Sequence, residues 1–218
     1  MNVATLSVPF IYWLHAENHM KYLTFICLLF VSMAFRASVE IPQKPEDISP
    51  LLVGETIPSS KVQTIDGQSV SLLDVVSKKP TVLIFHRGGW CPFCNRQLSE
   101  LRTLESDLSK LGYQILAVST DSPENLKSTL DKSELTYTLL SDADVTAARA
   151  FGLAFKAPAA YSATLEKGSN GKNTDKLLPV PAVFLVNQQG VIKFEYINPN
   201  FKERMPAKLL KAAAESVL

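Results

Sequence analysis

Apolar residues recur along this chain with two different periods. Thr81–Phe85 (TVLIF) and Gln114–Ser119 (QILAVS) are short, almost continuous apolar runs rich in β-formers. Such runs predict strands buried on both faces. Between them Leu98, Leu101, Leu104, Leu108 and Leu111 return at spacings of three and four, which marks one face of a helix. That helix starts at Pro92, a residue suited to a first helical position, and stops at Gly112. Ser122-Pro123-Glu124 opens a second helix reaching about Lys132, with proline near its first position and an acid in its first turn. Tyr137–Leu140 predicts a short strand. Asp142 or Asp144 then caps a helix through Ala150, ended by Gly152. Ala182–Val186 and Val191–Tyr196 predict strands across a turn at Asn187–Gly190, and Pro206–Val217 predicts the last helix. Upstream, Val62–Ile65 and Val70–Leu72 flank Asp66-Gly67, a strong hairpin signal. Residues 156–180 hold Pro158, Gly168, Gly171 and Pro179 with few large apolar residues, which predicts a long loop of the kind that often carries function.

Strand–helix–strand units in series predict a parallel sheet centre with right-handed crossovers and helices on both faces. The closing hairpin and helix add an antiparallel edge. The expected class is therefore α/β: one domain at 61–218 with a central mixed sheet and an N-terminal β-hairpin extension. Residues 38–60, rich in proline and polar groups, read as an extended lead-in. Composition narrows the function. At 46% hydrophobic and 20% charged residues, the chain has the material for a core and is not of a disordered class. Its 22 basic and 21 acidic residues give a net charge of +1, without the basic excess of a nucleic-acid binder, so no nucleic-acid partner is expected.

The first 37 residues carry a different signal. Lys21 precedes Tyr22–Phe35, an apolar stretch interrupted only by Thr24 and Ser32, and small residues follow at Ser32, Ala34 and Ala37. This three-part pattern predicts a secretory signal peptide cut after Ala34 or Ala37, with Met20 as the biological start. The stretch is shorter than the ~20 residues of a bilayer span, so no stable membrane anchor is expected. An exported protein, periplasmic or secreted, is the expectation.

Of the three cysteines, Cys27 would leave with that segment, and Cys91 and Cys94 remain, spaced C-x-x-C. Cys91 falls at or just before the first position of the helix from Pro92. There the unpaired N–H groups and the positive end of the macrodipole favour a thiolate, the reactive form. Cys94, a turn further on, is placed to close a disulfide with it. Cys91 is accordingly the expected nucleophile, meeting solvent, and Cys94 the resolving thiol, tucked against the helix. Arg87 and Arg96 are candidates for positive potential, though such charges are more often solvated, and Trp90, Pro92 and Phe93 are candidates for a docking rim. A zinc site would need four ligands, and His86 is the one histidine left to help, so no metal is expected. A structural disulfide across one turn closes too small a loop to stabilise much. His86, at a strand end, reads as a core histidine.

Phe85–Cys94, with the strand before it and the strand–helix unit after it, resembles the thioredoxin fold. Arg87–Leu98, Leu140–Asp142, Ala148–Gly152 and Leu178–Ala182 resemble its peroxiredoxin-like branch, the alkyl hydroperoxide reductase/thiol-specific antioxidant family, from about Gly54 onward. The resemblance implies a thioredoxin-like fold, no cofactor, an external thioredoxin-like dithiol reductant and, commonly, a homodimer. It implies an antioxidant peroxidase in which Cys91 attacks a hydroperoxide and Cys94 resolves the product. The alternative is an exported thiol–disulfide oxidoreductase acting on protein disulfides; a third possibility is a binding module without turnover. Two positions depart from the family pattern. Family peroxidases carry Thr or Ser three positions before the reactive cysteine, where this chain has Gly88. They carry an Arg just before the strand after the long insertion, where this chain has Pro181. Val180-Pro181 resembles instead the cis-proline that lines the substrate groove of thioredoxins, so a cis peptide facing Cys91 is expected there.

Overall fold

The computed structural model describes residues 40–133 and 136–217. The expected signal peptide lies outside them. The compact unit they form begins at Ile41. Among the described residues no helix is long and apolar enough to cross a membrane.

Nine strands and six α-helices alternate in it. The strands are β1 (Lys61–Gln63), β2 (Ser69–Ser71), β3 (Thr81–His86), β4 (Gln114–Ser119), β5 (Thr138–Ser141), β6 (Ala154–Lys156), β7 (Leu177–Pro179), β8 (Ala182–Val186) and β9 (Ile192–Ile197). The helices are α1 (Leu72–Val76), α2 (Pro92–Lys110), α3 (Pro123–Ser133), α4 (Thr146–Ala150), α5 (Ser162–Gly168) and α6 (Ala207–Ser216). Seven strands form one sheet in the order β2-β1-β5-β4-β3-β8-β9. Its centre, β5-β4-β3, is parallel, and β8 and β9 add an antiparallel edge. The expected mixed sheet and hairpin extension are both present.

The side-chain alternation of β3 explains the layering. Val82 and Ile84 point to one face, where Leu98, Leu101 and Leu108 of α2, Leu126 of α3 and Leu210 and Ala214 of α6 cover them. Leu83 and Phe85 point to the other, against Leu72 and Val76 of α1 and Ala147 and Ala148 of α4. A strand covered on both faces has no polar side, which is why Thr81–His86 is buried throughout. The parallel pairing of β3 with β4, Val82 opposite Ile115 through His86 opposite Ser119, brings the C-terminal ends of both strands to one edge. Cys91 and Cys94 follow β3 at that edge.

The predicted loop at 156–180 is instead structured. β6 and β7 pair antiparallel as a second small sheet, and α5 stands between them. Its order comes from one partner outside the segment and one within it. Lys156 donates its backbone N–H to the Pro42 carbonyl at 2.8 Å, and the buried Asn173 amide bonds both backbone groups of Leu177, at 2.8 and 2.9 Å. The lead-in packs as well: Ile41, Ile48 and Leu51 lie against the core.

Candidate active site

Four residues, Arg87-Gly88-Gly89-Trp90, turn the chain from the end of β3 into α2. Cys91 is the residue that caps α2, extended at φ −91° and ψ 114°, with proline at the next position. Its N–H donates to the Gly88 carbonyl at 3.1 Å, and its carbonyl accepts the Asn95 N–H at 3.0 Å. The turn is held from below. The Asp121 carboxylate, at the end of β4, accepts the Gly89 N–H at 2.6 Å, and the Asn95 amide donates to the Gly89 carbonyl at 2.8 Å. Burial pushes the Asp121 carboxyl up to about 6, against the two hydrogen bonds that favour its charge. Trp90, Asn95, Asp121, Asn125 and Lys167 line a cavity of about 370 Å³ beside this turn.

Both thiols are free and both are buried, Cys91 at 1% and Cys94 at 0% exposure. The Cys91 thiol is lowered to about 6. A hydrogen bond from the Cys94 thiol is the main cause, opposed by burial and aided by the Cys94 backbone N–H and the charges of Arg87 and Arg204. The Cys94 thiol moves the other way, raised by burial and by giving its proton to Cys91, and pulled back by Arg204. The two identical side chains are thus driven apart, Cys91 toward the thiolate and Cys94 toward the protonated thiol. Arg204, from the connection between β9 and α6, places Nη2 at 3.2 Å from the Cys94 sulfur and 4.0 Å from that of Cys91. Its Nε and Nη1 are buried with no hydrogen-bond partner.

Arg87 is buried in an aromatic cage. Its guanidinium lies 4.1 Å from the centre of the Phe201 ring, 4.5 Å from Tyr161 and 5.0 Å from Trp90. Trp90 and Tyr161 pack at 5.5 Å, and Phe93 meets Phe201 edge-on at 5.7 Å. Trp90 and Phe93 thus each pack against a ring from a distant segment.

Three expectations need correction. Cys91 does not meet solvent: it is 1% exposed, with Arg204 of the 198–206 connection 4.0 Å from its sulfur. Arg96 is exposed with its guanidinium 5.7 Å from Phe93, and it is Arg204, along with Arg87, that acts on Cys91. Among the described residues there is no cis peptide, so Val180-Pro181 is trans. Trans is the lower-energy isomer, and Pro181 stands just before β8, where a strand tolerates proline. It is buried next to Arg204, Gln97 and Met205 and touches the site through them. Pro92, at the first turn of α2, is exposed. Tyr161, Phe201, Asp121 and Arg204 escaped the sequence reading. Each lies in a stretch with no periodicity, and only the fold brings them to Cys91. His86 closes β3, fully buried, with neither ring nitrogen partnered; burial, and then the charge of Arg204, lower it to about 3, so it stays neutral.

Residues 53–195 match the model of the AhpC/TSA family. The chain is 32% identical over 145 residues to the putative peroxiredoxin bcp of Haemophilus influenzae, covering 66% of this chain and 85% of the relative. It is 30% identical over 155 residues to peroxiredoxin Bcp of Escherichia coli, covering 71% and 90%. Among solved structures, peroxidoxin BcpB of Mycobacterium tuberculosis superposes with a TM-score of 0.61 at 19% identity, over 76% of this chain and 97% of that one. Reduced Prx3 of Vibrio vulnificus in complex with H2O2 gives 0.64, also at 19% identity, over 76% and 97%.

Proposed function

Because the chain belongs to the AhpC/TSA family, we propose that it is a thiol peroxidase in which Cys91 reduces hydroperoxides and Cys94 resolves the product. The observation that carries the proposal is the Cys91 thiol, buried at the cap of α2, lowered to about 6 chiefly by the hydrogen bond from Cys94, with the Arg204 guanidinium 4.0 Å from its sulfur. At neutral pH it is a thiolate, and its burial admits a small oxidant more readily than a folded substrate.

The reaction balances within the pair. The Cys91 thiolate attacks one peroxide oxygen, the S–O bond forms as the O–O bond breaks, and the alcohol or water leaves with a proton. Cys91 is then a sulfenic acid. The Cys94 sulfur attacks that sulfur as its proton passes to the departing hydroxyl; the S–S bond forms as the S–O bond breaks, and water leaves. An external thioredoxin-like dithiol returns both thiols by exchange. The Tyr22–Phe35 segment supports export, and so a site of action outside the cytoplasm.

Stoichiometry tests this. Substoichiometric hydrogen peroxide added to the reduced protein is expected to consume both thiols per peroxide within the mixing time of a manual assay. Slow thiol loss, together with rapid reduction of insulin, would make the protein a disulfide reductase instead.

A further inference from the structure

Arg204 stands closer to the wrong sulfur for a group whose task is the attacking thiolate. Its Nη2 is 3.2 Å from Cys94 and 4.0 Å from Cys91. Neither Arg204 nor Arg87 is paired with a carboxylate among the described residues. Two of the three Arg204 nitrogens are buried without a hydrogen-bond partner, and the third faces the two sulfurs. Cys94 is wholly buried, so without a cation its thiolate would have neither water nor charge to support it. The groups that face the pair are few. Cys91 and Cys94 share the start of α2, His86 and Arg87 come from the end of β3, and Arg204 and Glu203 come from the β9–α6 connection. His86 is neutral, and Glu203 is exposed.

We propose that Arg204 is a catalytic residue of the second step: it holds Cys94 and turns it into the nucleophile that closes the disulfide, after Cys91 has been oxidised. The order follows from charge. While Cys91 is a thiolate it competes for Arg204, takes the Cys94 proton as a hydrogen bond and repels a second negative sulfur. Oxidation to a sulfenic acid removes that negative charge. The hydrogen bond and the repulsion disappear together, and the whole attraction of Arg204 falls on Cys94. The Cys94 proton passes to the departing hydroxyl, the S–S bond forms as the S–O bond breaks, and water leaves. The resolving thiol is thus held inactive until there is something to resolve.

The closure step rests on the peroxidase reading; the preference of Arg204 for Cys94 does not, and the test separates the two. Reduced protein is mixed with hydrogen peroxide and quenched at intervals with dimedone, and intact mass gives the sulfenic acid and the disulfide as functions of time and pH. Arg204→Met is expected to slow closure at least about tenfold and to move its pH dependence upward by about one unit, with sulfenic acid accumulating. Arg204→Lys, which keeps the charge, is expected to recover most of the rate. A fall in sulfenic acid formation with closure and its pH profile unchanged would assign Arg204 to Cys91 and overturn the proposal. A second measurement needs no peroxide. On a Cys91→Ser background, the rate of Cys94 alkylation by iodoacetamide against pH reports that thiol alone. Adding Arg204→Met is expected to move its midpoint upward, and superimposable curves would overturn the proposal even if no sulfenic acid ever forms. Formation of neither sulfenic acid nor disulfide when peroxide is added to the unaltered protein, with the alkylation shift intact, would sink the peroxidase reading and leave the pairing of Arg204 with Cys94 standing.

Discussion

A Cβ on Gly88 would stand 2.4 Å from the Trp90 indole nitrogen and 2.8 Å from an Asp121 oxygen, at a φ of +142° that side chains rarely adopt. The family's usual Thr or Ser cannot be placed there while Trp90 and Asp121 keep their positions. Gly88→Thr is therefore expected to cost about 1–3 kcal/mol and to lower peroxide turnover, by displacing the turn that carries Cys91, instead of restoring a peroxidase group. Urea unfolding and thiol-loss kinetics on the one variant check both halves. Cys91 itself gives a second prediction. With its thiol at about 6, its rate of alkylation is expected to rise through about pH 6 and level off above it, while Cys94 reacts only at much higher pH. Peptide mapping after brief labelling at mildly acidic pH distinguishes the two, and equal labelling would reverse the roles. The direction in which the two thiols are driven apart was legible in the sequence from their places at the start of α2, though the hydrogen bond between them, the main cause of the Cys91 shift, was not. Arg204 was not, because nothing local to residues 198–206 says which sulfur the fold will set beside it.

Elements with strong periodicity, β3, β4, α2 and β8, sit within a residue or so of where the apolar pattern predicts them, since burial on both faces leaves the backbone little choice. The short elements α1, β6, β7 and α5 were not legible: their hydrogen bonds reach to remote segments, and a stretch of a few residues carries no period. α4 lies between these cases. The residue at its cap position is Val145, in the left-handed region at φ 61°, but Asp142 serves the helix from a turn back. Its two oxygens accept the Ala147 and Ala148 N–H groups, each at 2.8 Å. Burial pushes this carboxyl up to about 7 despite those bonds. Asp142→Ala is expected to destabilise the fold by about 1–3 kcal/mol, because it strands two buried donors. Asp142→Asn keeps one acceptor without the charge and is expected to cost less at pH 8 than at pH 5. Denaturant midpoints at the two pH values test the difference.

For the molecule as a whole, these buried groups pull stability in opposite directions with pH. Asp121 and Asp142 titrate in the fold at about 6 and about 7, well above the ~3.9 of an unfolded aspartate. The folded state keeps protons that the unfolded chain has lost, so their contribution is full below about pH 4 and is lost as pH rises toward about 7. Cys91 is depressed from ~8.5 to about 6. Its contribution is full above about pH 8.5 and lost as pH falls through about 6. His86, lowered to about 3, adds stability as pH rises between about 3 and 6.5 and offsets one of the two aspartates, so urea midpoints of the reduced protein are expected to fall shallowly from about pH 4.5 to 6 and to recover toward 8.5. Cys91→Ser should show the fall without the recovery; curves that coincide above about pH 6.5 would mean that the fold does not favour the thiolate.

One short connection, Asn198 to Pro206, supplies both the Phe201 ring over Arg87 and the Arg204 guanidinium at the sulfurs. The two partners of the thiols therefore differ in what they must bring. A hydroperoxide is little larger than two oxygens, whereas a dithiol reductant brings a whole protein surface to a sulfur that is 1% exposed. Recycling is accordingly expected to be the slower half of the cycle, and Phe201→Ala to speed reduction of the oxidised form by a protein dithiol; an unchanged rate would mean that this connection has no part in how long the oxidised form persists.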